Sequence, residues 1–195
     1  MRLGVLGGSF NPPHIGHLLI ASDAHETLGL DRLVIVPAFA NPLKGIGASA
    51  ASAAQRLEMV RLTFGDDARF EVTSMEIDRG GLSFTVDTLE TIAGSNPEAE
   101  LVLLVGFDSL ATMDKWKQPD RIRELARLAA IWRGEGPTME VERLGVEIVT
   151  SRRVDVSSSE IRERLAKGRS IRGFVAESVE RYITAAKLYA PRADG

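Results

Sequence analysis

Residues 7–17 read Gly-Gly-Ser-Phe-Asn-Pro-Pro-His-Ile-Gly-His and follow directly on the apolar segment Leu3–Leu6. The paired glycines allow a sharp turn and a close approach of the backbone to a ligand, while the two prolines stiffen the loop and remove two amide donors. His14 and His17 are three residues apart at the start of a predicted helix, Ile15–Leu28, so both rings can share one face. A helix N-terminus that carries two imidazoles predicts a phosphate site.

A zinc site and a purely structural role are the alternatives for this pair of histidines. Zinc needs further ligands of suitable type and spacing, but the chain has no cysteine. The third histidine, His25, lies elsewhere on the same predicted helix. Two of three histidines spaced His-x-Gly-His, behind a strand and a Gly-Gly turn, favour the phosphate site.

The composition is that of an ordinary globular protein. A chain of 195 residues, 44% apolar and 26% charged, predicts one domain over residues 1–190 and a flexible tail over 191–195. No apolar run has membrane-spanning length and no secretory signal is visible, so we expect a cytoplasmic protein without a membrane partner. The net charge of −3 argues against nucleic acid as a partner. A homodimer is compatible with the sequence, which does not determine the oligomeric state.

Apolar strand-like runs alternate with helical patterns along the chain. This alternation predicts an α/β fold with a single doubly wound parallel sheet, in which ligands bind beyond the carboxyl ends of the strands. The predicted strands are Arg2–Leu6, Arg32–Pro37, Phe70–Thr73, Leu101–Val105, Ala129–Trp132 and Val146–Thr150. The predicted helices are Ile15–Leu28, Ala54–Phe64, Thr85–Ala93, Asp120–Arg127, Ser158–Ala166 and Ala176–Ala186.

The segment Gly45–Ala54 consists almost entirely of small residues. It can bury little surface, so we expect it to move, at least at its glycine end. A flexible surface loop or frayed helix start is one interpretation, and a lid beside the site is the other; the sequence leaves both open.

Two further segments carry groups suited to a nucleotide. Val156–Arg162 reads Val-Ser-Ser-Ser-Glu-Ile-Arg, in which Ser157 and Glu160 fit a capping box. The three hydroxyls with Arg162 also suit a polyphosphate, because a guanidinium offers several donors in one plane.

Gly106-Phe107-Asp108 follows a predicted strand, where an aspartate can accept hydrogen bonds from ribose hydroxyls; a helix N-cap is the alternative role for this aspartate.

Several of these segments resemble one known family. Gly8–His17 resembles the GxFxPxHxGH signature of the nucleotidyltransferases, whose His-x-Gly-His element is similar to that of class I aminoacyl-tRNA synthetases. Ser83–Leu89, Ser-Phe-Thr-Val-Asp-Thr-Leu, resembles the S-Y-T-x-D-T-L element of bacterial nicotinate-nucleotide adenylyltransferases. Val156–Arg162 is similar to the I-S-S-T-x-I-R element of that family, and Gly106–Asp108 to its G-x-D element. Val175–Tyr189 is similar to its C-terminal element, which looks like a closing helix without chemistry.

The resemblance implies a Rossmann-like nucleotidyltransferase fold with C-terminal helices. It implies adenylyl transfer from ATP to nicotinate mononucleotide, giving deamido-NAD and pyrophosphate in NAD biosynthesis. No covalent enzyme intermediate is expected, and Mg²⁺ would bind through the ATP phosphates with no protein side chain as ligand.

The resemblance also assigns roles to individual residues. The residues expected to act on the reacting phosphates are His14, His17, Lys44 and Arg162. Those expected to bind ATP are Gly7, Gly8, Ser9, Phe10, His14, His17, Gly106, Asp108, Ser157, Ser158, Ser159 and Arg162. Those expected to bind the mononucleotide are Ser9, Asn11, Lys44, Thr85, Phe107 and Trp116, with Trp116 stacked on the pyridine ring.

One departure and three rival functions qualify this assignment. The family usually has P-P-H-K or P-P-H-R after the second strand, whereas this chain has Asn41-Pro42-Leu43-Lys44, and Leu43 offers no polar group. The nearest rival is another small nucleotidyltransferase, such as a phosphopantetheine adenylyltransferase or a cytidylyltransferase. A synthetase-like fragment lacks the expected Lys-Met-Ser-Lys-Ser loop, and a non-enzymatic nucleotide-binding module is the alternative from another class.

Overall fold

Six parallel strands form one sheet in the computed structural model, which describes residues 1–42, 51–133 and 146–190. The strands are β1 Arg2–Gly8, β2 Arg32–Pro37, β3 Phe70–Val72, β4 Glu100–Gly106, β5 Arg127–Arg133 and β6 Glu147–Ser151. Their order across the sheet is β3-β2-β1-β4-β5-β6, and every neighbouring pair is parallel. The predicted doubly wound parallel sheet is confirmed.

The order of the strands puts a switch point between β1 and β4. The chain runs outward from β1 through β2 to β3, then returns to place β4 on the other side of β1. Open α/β sheets bind their ligands at such a point, beyond the carboxyl ends of the strands. Gly8 at the end of β1 lies opposite Pro37 at the end of β2, so the loops after these strands leave the sheet side by side.

Helices cover both faces of the sheet. They are α1 Ile15–Thr27, α2 Ala53–Phe64, α3 Met75–Arg79, α4 Thr85–Ser95, α5 Phe107–Leu110, a 3₁₀ turn Met113–Lys115, α6 Pro119–Leu125, α7 Ser158–Ala166 and α8 Glu177–Ala185. The predicted helices are all present; Ser158–Ala166 has the predicted ends, and each of the others differs by one or two residues at one or both ends. The sequence analysis missed α3, α5 and the 3₁₀ turn, because elements of three to five residues are too short to show a helical period.

The predicted end of one helix is wrong. Residues 120–127 were expected to be helical, but α6 ends at Leu125 and Arg127 is the first residue of β5. Arg127 pairs with Val102 of β4, and its guanidinium lies 2.8 Å from the carboxylate of Glu100. Contacts with the neighbouring strand, which a local pattern does not contain, therefore lengthen β5 at the expense of the helix.

Three apolar clusters hold the layers together. The first joins one face of the sheet to α1 and α2, and includes Ile35 and Phe64. The second joins the other face to α4 and α6, and includes Leu89. The third packs α7 and α8 on α2 around Met59 and Ile161. The last cluster brings the C-terminal helices of the described chain to the side of the sheet that carries the first loop.

Only the end of the small-residue segment is described. Ala51 is buried, and Ser52 caps α2 by accepting a hydrogen bond from the amide of Gln55 at 3.2 Å, while the Gln55 side chain accepts one from the amide of Ser52 at 2.8 Å. This end of the segment is therefore a well-capped helix start. Residues 45–50 and the predicted tail, 191–195, lie outside the described residues. Across the described ranges, no helix combines the length and apolar character needed to cross a bilayer.

Candidate active site

Two adjoining clefts open at the carboxyl edge of the sheet. The larger has a volume of about 930 Å³ and the smaller about 250 Å³. Five residues line both clefts and mark the boundary between the two: Gly7, Gly8, Ala38, Asn41 and Ser109. Gly7 and Gly8 are the last residues of β1 and pair with β2, so the turn predicted at these glycines is wrong, but they do lie where the two clefts meet.

The larger cleft lies between the first loop and the start of α7. Gly7–Asn11 and His17 line one side, and Ser157–Ser159 with Arg162 line another. The structure therefore brings together most of the residues expected at the ATP site, although the first loop and α7 are far apart in the sequence. His14 is buried, with 5% of its surface exposed.

The His-x-Gly-His element sets up the N-terminus of α1. The main-chain amide of His14 donates to Nδ1 of His17 at 3.1 Å, so the proton of a neutral His17 ring is on Nε2. The two rings lie 3.8 Å apart, and the ring of Phe10 packs edge-on against His17 at 5.0 Å. A Cβ at Gly16 would lie only 3.0 Å from Nδ1 of His14, which explains why a glycine separates the two histidines.

Hydrogen bonds fasten α7 to the first loop. Ser157 caps the helix by accepting from the amide of Glu160 at 3.1 Å, which is one half of the predicted capping box. Ser158 Oγ donates to the carbonyl of Pro12 at 2.7 Å. Arg162 donates through Nη1 to the carbonyl of Asn11 at 2.7 Å and through Nη2 to Ser159 Oγ at 3.1 Å. These bonds hold the guanidinium at the wall of the larger cleft.

A buried arginine that the sequence analysis missed holds the two strand-end loops together. Arg56 on α2 is only 4% exposed and lines the larger cleft. Its Nη1 donates to the carbonyls of Ser9 at 2.8 Å and Ala38 at 2.6 Å, and its Nη2 donates to the carbonyl of Phe39 at 2.8 Å. Burial lowers the pKa of this guanidinium from its ordinary value.

A signal for Arg56 exists in the sequence. Arg56, Val60 and Phe64 are spaced at i, i+4 and i+8 on α2, and all three are buried. A charged residue within the apolar stripe of a helix faces the interior. Such a residue must find hydrogen-bond acceptors there.

The smaller cleft has an aromatic wall and a helix N-terminus. Trp116 and Phe84 line it, and Thr85 is the first residue of α4. Trp116 is partly buried and packs against the second core cluster, so packing and exposure to the cleft coexist in one side chain. Lys117 Nζ lies 4.8 Å from the centre of the Phe84 ring and 2.8 Å from Oδ1 of Asp87.

A buried carboxylate also lines the smaller cleft. Glu76 of α3 is buried and accepts a hydrogen bond from Thr88 Oγ1 of α4. Thr88 is the second threonine of the Ser-Phe-Thr-Val-Asp-Thr-Leu segment. The first, Thr85, begins α4 beside the cleft, and Thr88 joins α4 to α3 through Glu76. Glu76 went unnoticed in the sequence because α3 is too short to be recognised there.

Gly106, Phe107 and Asp108 line neither cleft, although their neighbour Ser109 lines both. Gly106 is the N-cap of α5, and Asp108 is exposed in the first turn, so the N-cap role suggested for Asp108 is wrong. Phe107 packs edge-on against Trp132, with ring centres 5.0 Å apart. Leu43 and Lys44 lie outside the described residues.

The donors of the larger cleft suit an anion. Its side chains include imidazole, guanidinium and hydroxyl groups, which donate to phosphate oxygens. In the described parts of the chain, no group of three or more histidine or acidic side chains is placed to hold a metal ion. This donor set fits Mg²⁺ that arrives on the phosphates, since Mg²⁺ is commonly held by substrate phosphates and waters.

Known proteins resemble this chain over nearly its whole length. The cytidylyltransferase-like family model matches residues 5–164. A protein of Gemmatimonas aurantiaca with the name probable nicotinate-nucleotide adenylyltransferase is 48% identical over 97% of this chain and 92% of its own length. A protein of Thermus thermophilus with the same name is 43% identical over 97% of this chain and 100% of its own length.

Solved structures of low identity share the fold. The nicotinic acid mononucleotide adenylyltransferase of Plasmodium falciparum complexed with NaAD has a TM-score of 0.78 at 17% identity, covering 96% of this chain and 97% of its own. The same enzyme complexed with APC has a TM-score of 0.76 at 16% identity, covering 96% of each chain. The curated relatives and the family model show that the chain belongs to the nicotinate-nucleotide adenylyltransferase family of the cytidylyltransferase-like nucleotidyltransferases.

Proposed function

We propose that this enzyme transfers the adenylyl group of ATP to the phosphate of nicotinate mononucleotide, giving deamido-NAD and pyrophosphate in NAD biosynthesis. The observation that carries the proposal is the pair of adjoining clefts, one lined by phosphate donors and the other by aromatic side chains. Two substrates bound in adjoining clefts can meet at Gly7 and Gly8, at the end of β1. The names of the relatives and the NaAD and APC complexes of the structural neighbours support the same reaction.

In this proposal the larger cleft binds the ATP phosphates. His17 donates through Nε2–H, because its Nδ1 already accepts from the amide of His14. Arg162 supplies positive charge, and Ser157–Ser159 supply hydroxyl and amide donors at the start of α7. His14, Gly7, Gly8, Ser9 and Phe10 shape the loop around the nucleotide, and Gly106 and Asp108 serve the ribose.

The smaller cleft binds the nicotinate end of the mononucleotide. The pyridine ring carries positive charge, and an indole face such as that of Trp116 attracts a flat cation. The N-terminus of α4 at Thr85 offers amides and a partial positive charge to the carboxylate. Ser9, Asn11, Lys44 and Phe107 complete the proposed set for this substrate.

The reaction needs positioning and charge stabilisation more than proton transfer. The mononucleotide phosphate is already an anionic nucleophile, and one of its oxygens forms a bond to the α-phosphorus of ATP. The bond from that phosphorus to the oxygen that joins it to the β-phosphorus breaks, and this oxygen leaves with pyrophosphate. His14, His17, Arg162 and Lys44 stabilise the charge that develops on the transferred group and the leaving pyrophosphate. When bound to the ATP phosphates, Mg²⁺ neutralises part of the same charge.

The test is pyrophosphate release from MgATP with three acceptors in parallel: nicotinate mononucleotide, nicotinamide mononucleotide and phosphopantetheine. We expect rapid turnover with nicotinate mononucleotide and little with the other two. Preferred turnover of phosphopantetheine or of the amide would contradict the proposed acceptor. Binding of ATP without turnover on any acceptor would contradict the proposed reaction and favour a nucleotide-binding module.

A further inference from the structure

The side chain of Tyr189 is buried against the other end of the chain. The residue follows α8, is 8% exposed and belongs to the third core cluster with Ile161 and Ile183. Its φ of 61° lies in the left-handed region, which a bulky residue adopts only where its surroundings hold it. The contacts of the side chain therefore outweigh the preference of the backbone at this position.

The hydroxyl of Tyr189 reaches the first loop. It donates to Oδ1 of Asn11 at 2.6 Å, while the main-chain carbonyl of Asn11 accepts from Nη1 of Arg162 at 2.7 Å. Tyr189 thus holds the side chain of Asn11 and Arg162 holds its main chain, and both residues come more than 100 residues later in the sequence. Because Asn11 and Arg162 both line the larger cleft, the orientation of Asn11 affects the direction of the guanidinium.

Burial keeps the Tyr189 phenol a donor. The guanidinium groups of Arg162 and Arg56 lie close enough to favour its ionised form, but burial has the larger effect and raises the pKa of Tyr189 above its ordinary value. The phenol is therefore protonated at neutral pH. A protonated hydroxyl can donate its proton to Oδ1 of Asn11, as the structure shows.

We propose that Tyr189 is a positioning residue for adenylyl transfer, acting through Asn11 on Arg162. The inference rests on the proposed function, since Arg162 is the group expected to contact the ATP phosphates. A phenylalanine would fill the same space in the core but would remove the donor to Asn11. The Arg162 guanidinium would then be directed toward the ATP phosphates less of the time.

The chain supplies a matched control in Tyr182, its other tyrosine. Tyr182 lies on α8, is partly buried and packs against the same cluster. For Tyr189→Phe we expect kcat/KM for ATP to fall about five- to tenfold, the effect of one lost buried hydrogen bond. Tyr182→Phe should match the unmodified enzyme. Equal losses in both variants, or no loss in Tyr189→Phe, would overturn the proposal.

A double variant separates positioning from a general loss of packing. In an Arg162→Lys background, adding Tyr189→Phe should lower kcat/KM for ATP by less than about twofold, because the guanidinium to be positioned is absent. A full additional five- to tenfold loss would show that Tyr189 acts independently of Arg162 and would overturn the proposal. Thermal unfolding confirms that each variant is folded at the assay temperature.

Calorimetric titration with MgATP repeats the comparison without turnover. Tyr189→Phe should weaken MgATP binding about fivefold relative to Tyr182→Phe, and should add little in the Arg162→Lys background. If the unmodified protein binds MgATP but turns over no acceptor, the proposed function fails while the titration still decides the role of Tyr189. If turnover is normal and neither measurement distinguishes the two tyrosines, only the positioning role fails.

Discussion

The two clefts of this enzyme share a boundary but are built from different chemistry. The larger is surrounded by donors that come from three separate parts of the chain: His17, Arg56 and Arg162. The smaller has Phe84 and Trp116 as its aromatic wall and Thr85 at a helix N-terminus, and residues of β1, β2 and β4 also line it. Both clefts are assembled by tertiary contacts, but charged and polar donors distinguish the larger one and an aromatic wall distinguishes the smaller one.

The difference corresponds to the two ligands that we propose. A triphosphate carries several negative charges on flexible oxygens and needs converging donors, because each charge-assisted hydrogen bond depends on geometry. A nicotinate ring is flat and rigid and needs a surface of matching shape with one anion-binding end. Variants in the larger cleft should therefore affect ATP, and variants in the smaller cleft should affect nicotinate mononucleotide.

The largest effect is expected from the larger cleft. His17→Ala removes the Nε2–H donor that the contact with the His14 amide fixes, so kcat/KM should fall by about 10²-fold or more, equivalent to about 3 kcal/mol. His25→Ala, on the same helix α1, is the control and should stay near the unmodified value. Steady-state pyrophosphate release measures both, and a near-normal rate in folded His17→Ala would rule out its role on the phosphates.

Arg56→Met tests whether the wall of the larger cleft depends on one buried cation. Three carbonyls would lose their donor, so the free energy of unfolding should fall by about 2–3 kcal/mol, and kcat/KM should fall with it. Arg61→Met alters an exposed arginine of the same helix and should change stability by less than about 0.5 kcal/mol. Chemical denaturation checks both variants; equal stabilities would mean that the three hydrogen bonds contribute nothing net.

The smaller cleft should respond through the acceptor alone. Trp116→Ala removes the stacking surface, so the KM for nicotinate mononucleotide should rise about tenfold, or about 1.4 kcal/mol, with the KM for ATP nearly constant. Trp116→Phe retains an aromatic face and should lie between the two. An unchanged acceptor KM in Trp116→Ala would show that this tryptophan serves only the second core cluster.

Asp108→Ala is expected to give the smallest effect, and it acts on ATP. Loss of a ribose contact should raise the KM for ATP about threefold to fivefold, within the range of one exposed hydrogen bond. Asp114→Ala removes a nearby exposed carboxylate and is the control. Since Gly106, not Asp108, is the N-cap of α5, an unchanged KM would leave the aspartate with no role in nucleotide binding.

The sequence was most informative where a role depends on neighbours in the chain. The His-x-Gly-His spacing and the serines before Arg162 act within a few residues, and the structure brings them to one cleft with the glycines that end β1. Strand β2 and helix α7 have the predicted bounds, because an apolar run and a serine cap are local patterns.

What the sequence analysis missed depends on distant partners. Arg56 is recognisable as unusual within its helix, but its three carbonyl acceptors lie in two other loops. Arg127 belongs to β5 because it pairs with Val102 of β4. Tyr189 was assigned only a structural role, since nothing near it in the sequence indicates a contact with Asn11.

The separation of the hydrogen-bonded partners has a consequence for the time at which the enzyme becomes competent. Asn11 precedes Arg162 by 151 residues, and at a synthesis rate of about 5–20 residues per second the first loop waits on the order of 10–30 seconds for that partner. Strands β1 to β3 can pair during this interval, but the larger cleft is incomplete until Arg162 has been synthesised. Binding of the nucleotide can therefore stabilise the protein only late in its synthesis, after apolar packing has formed much of the fold.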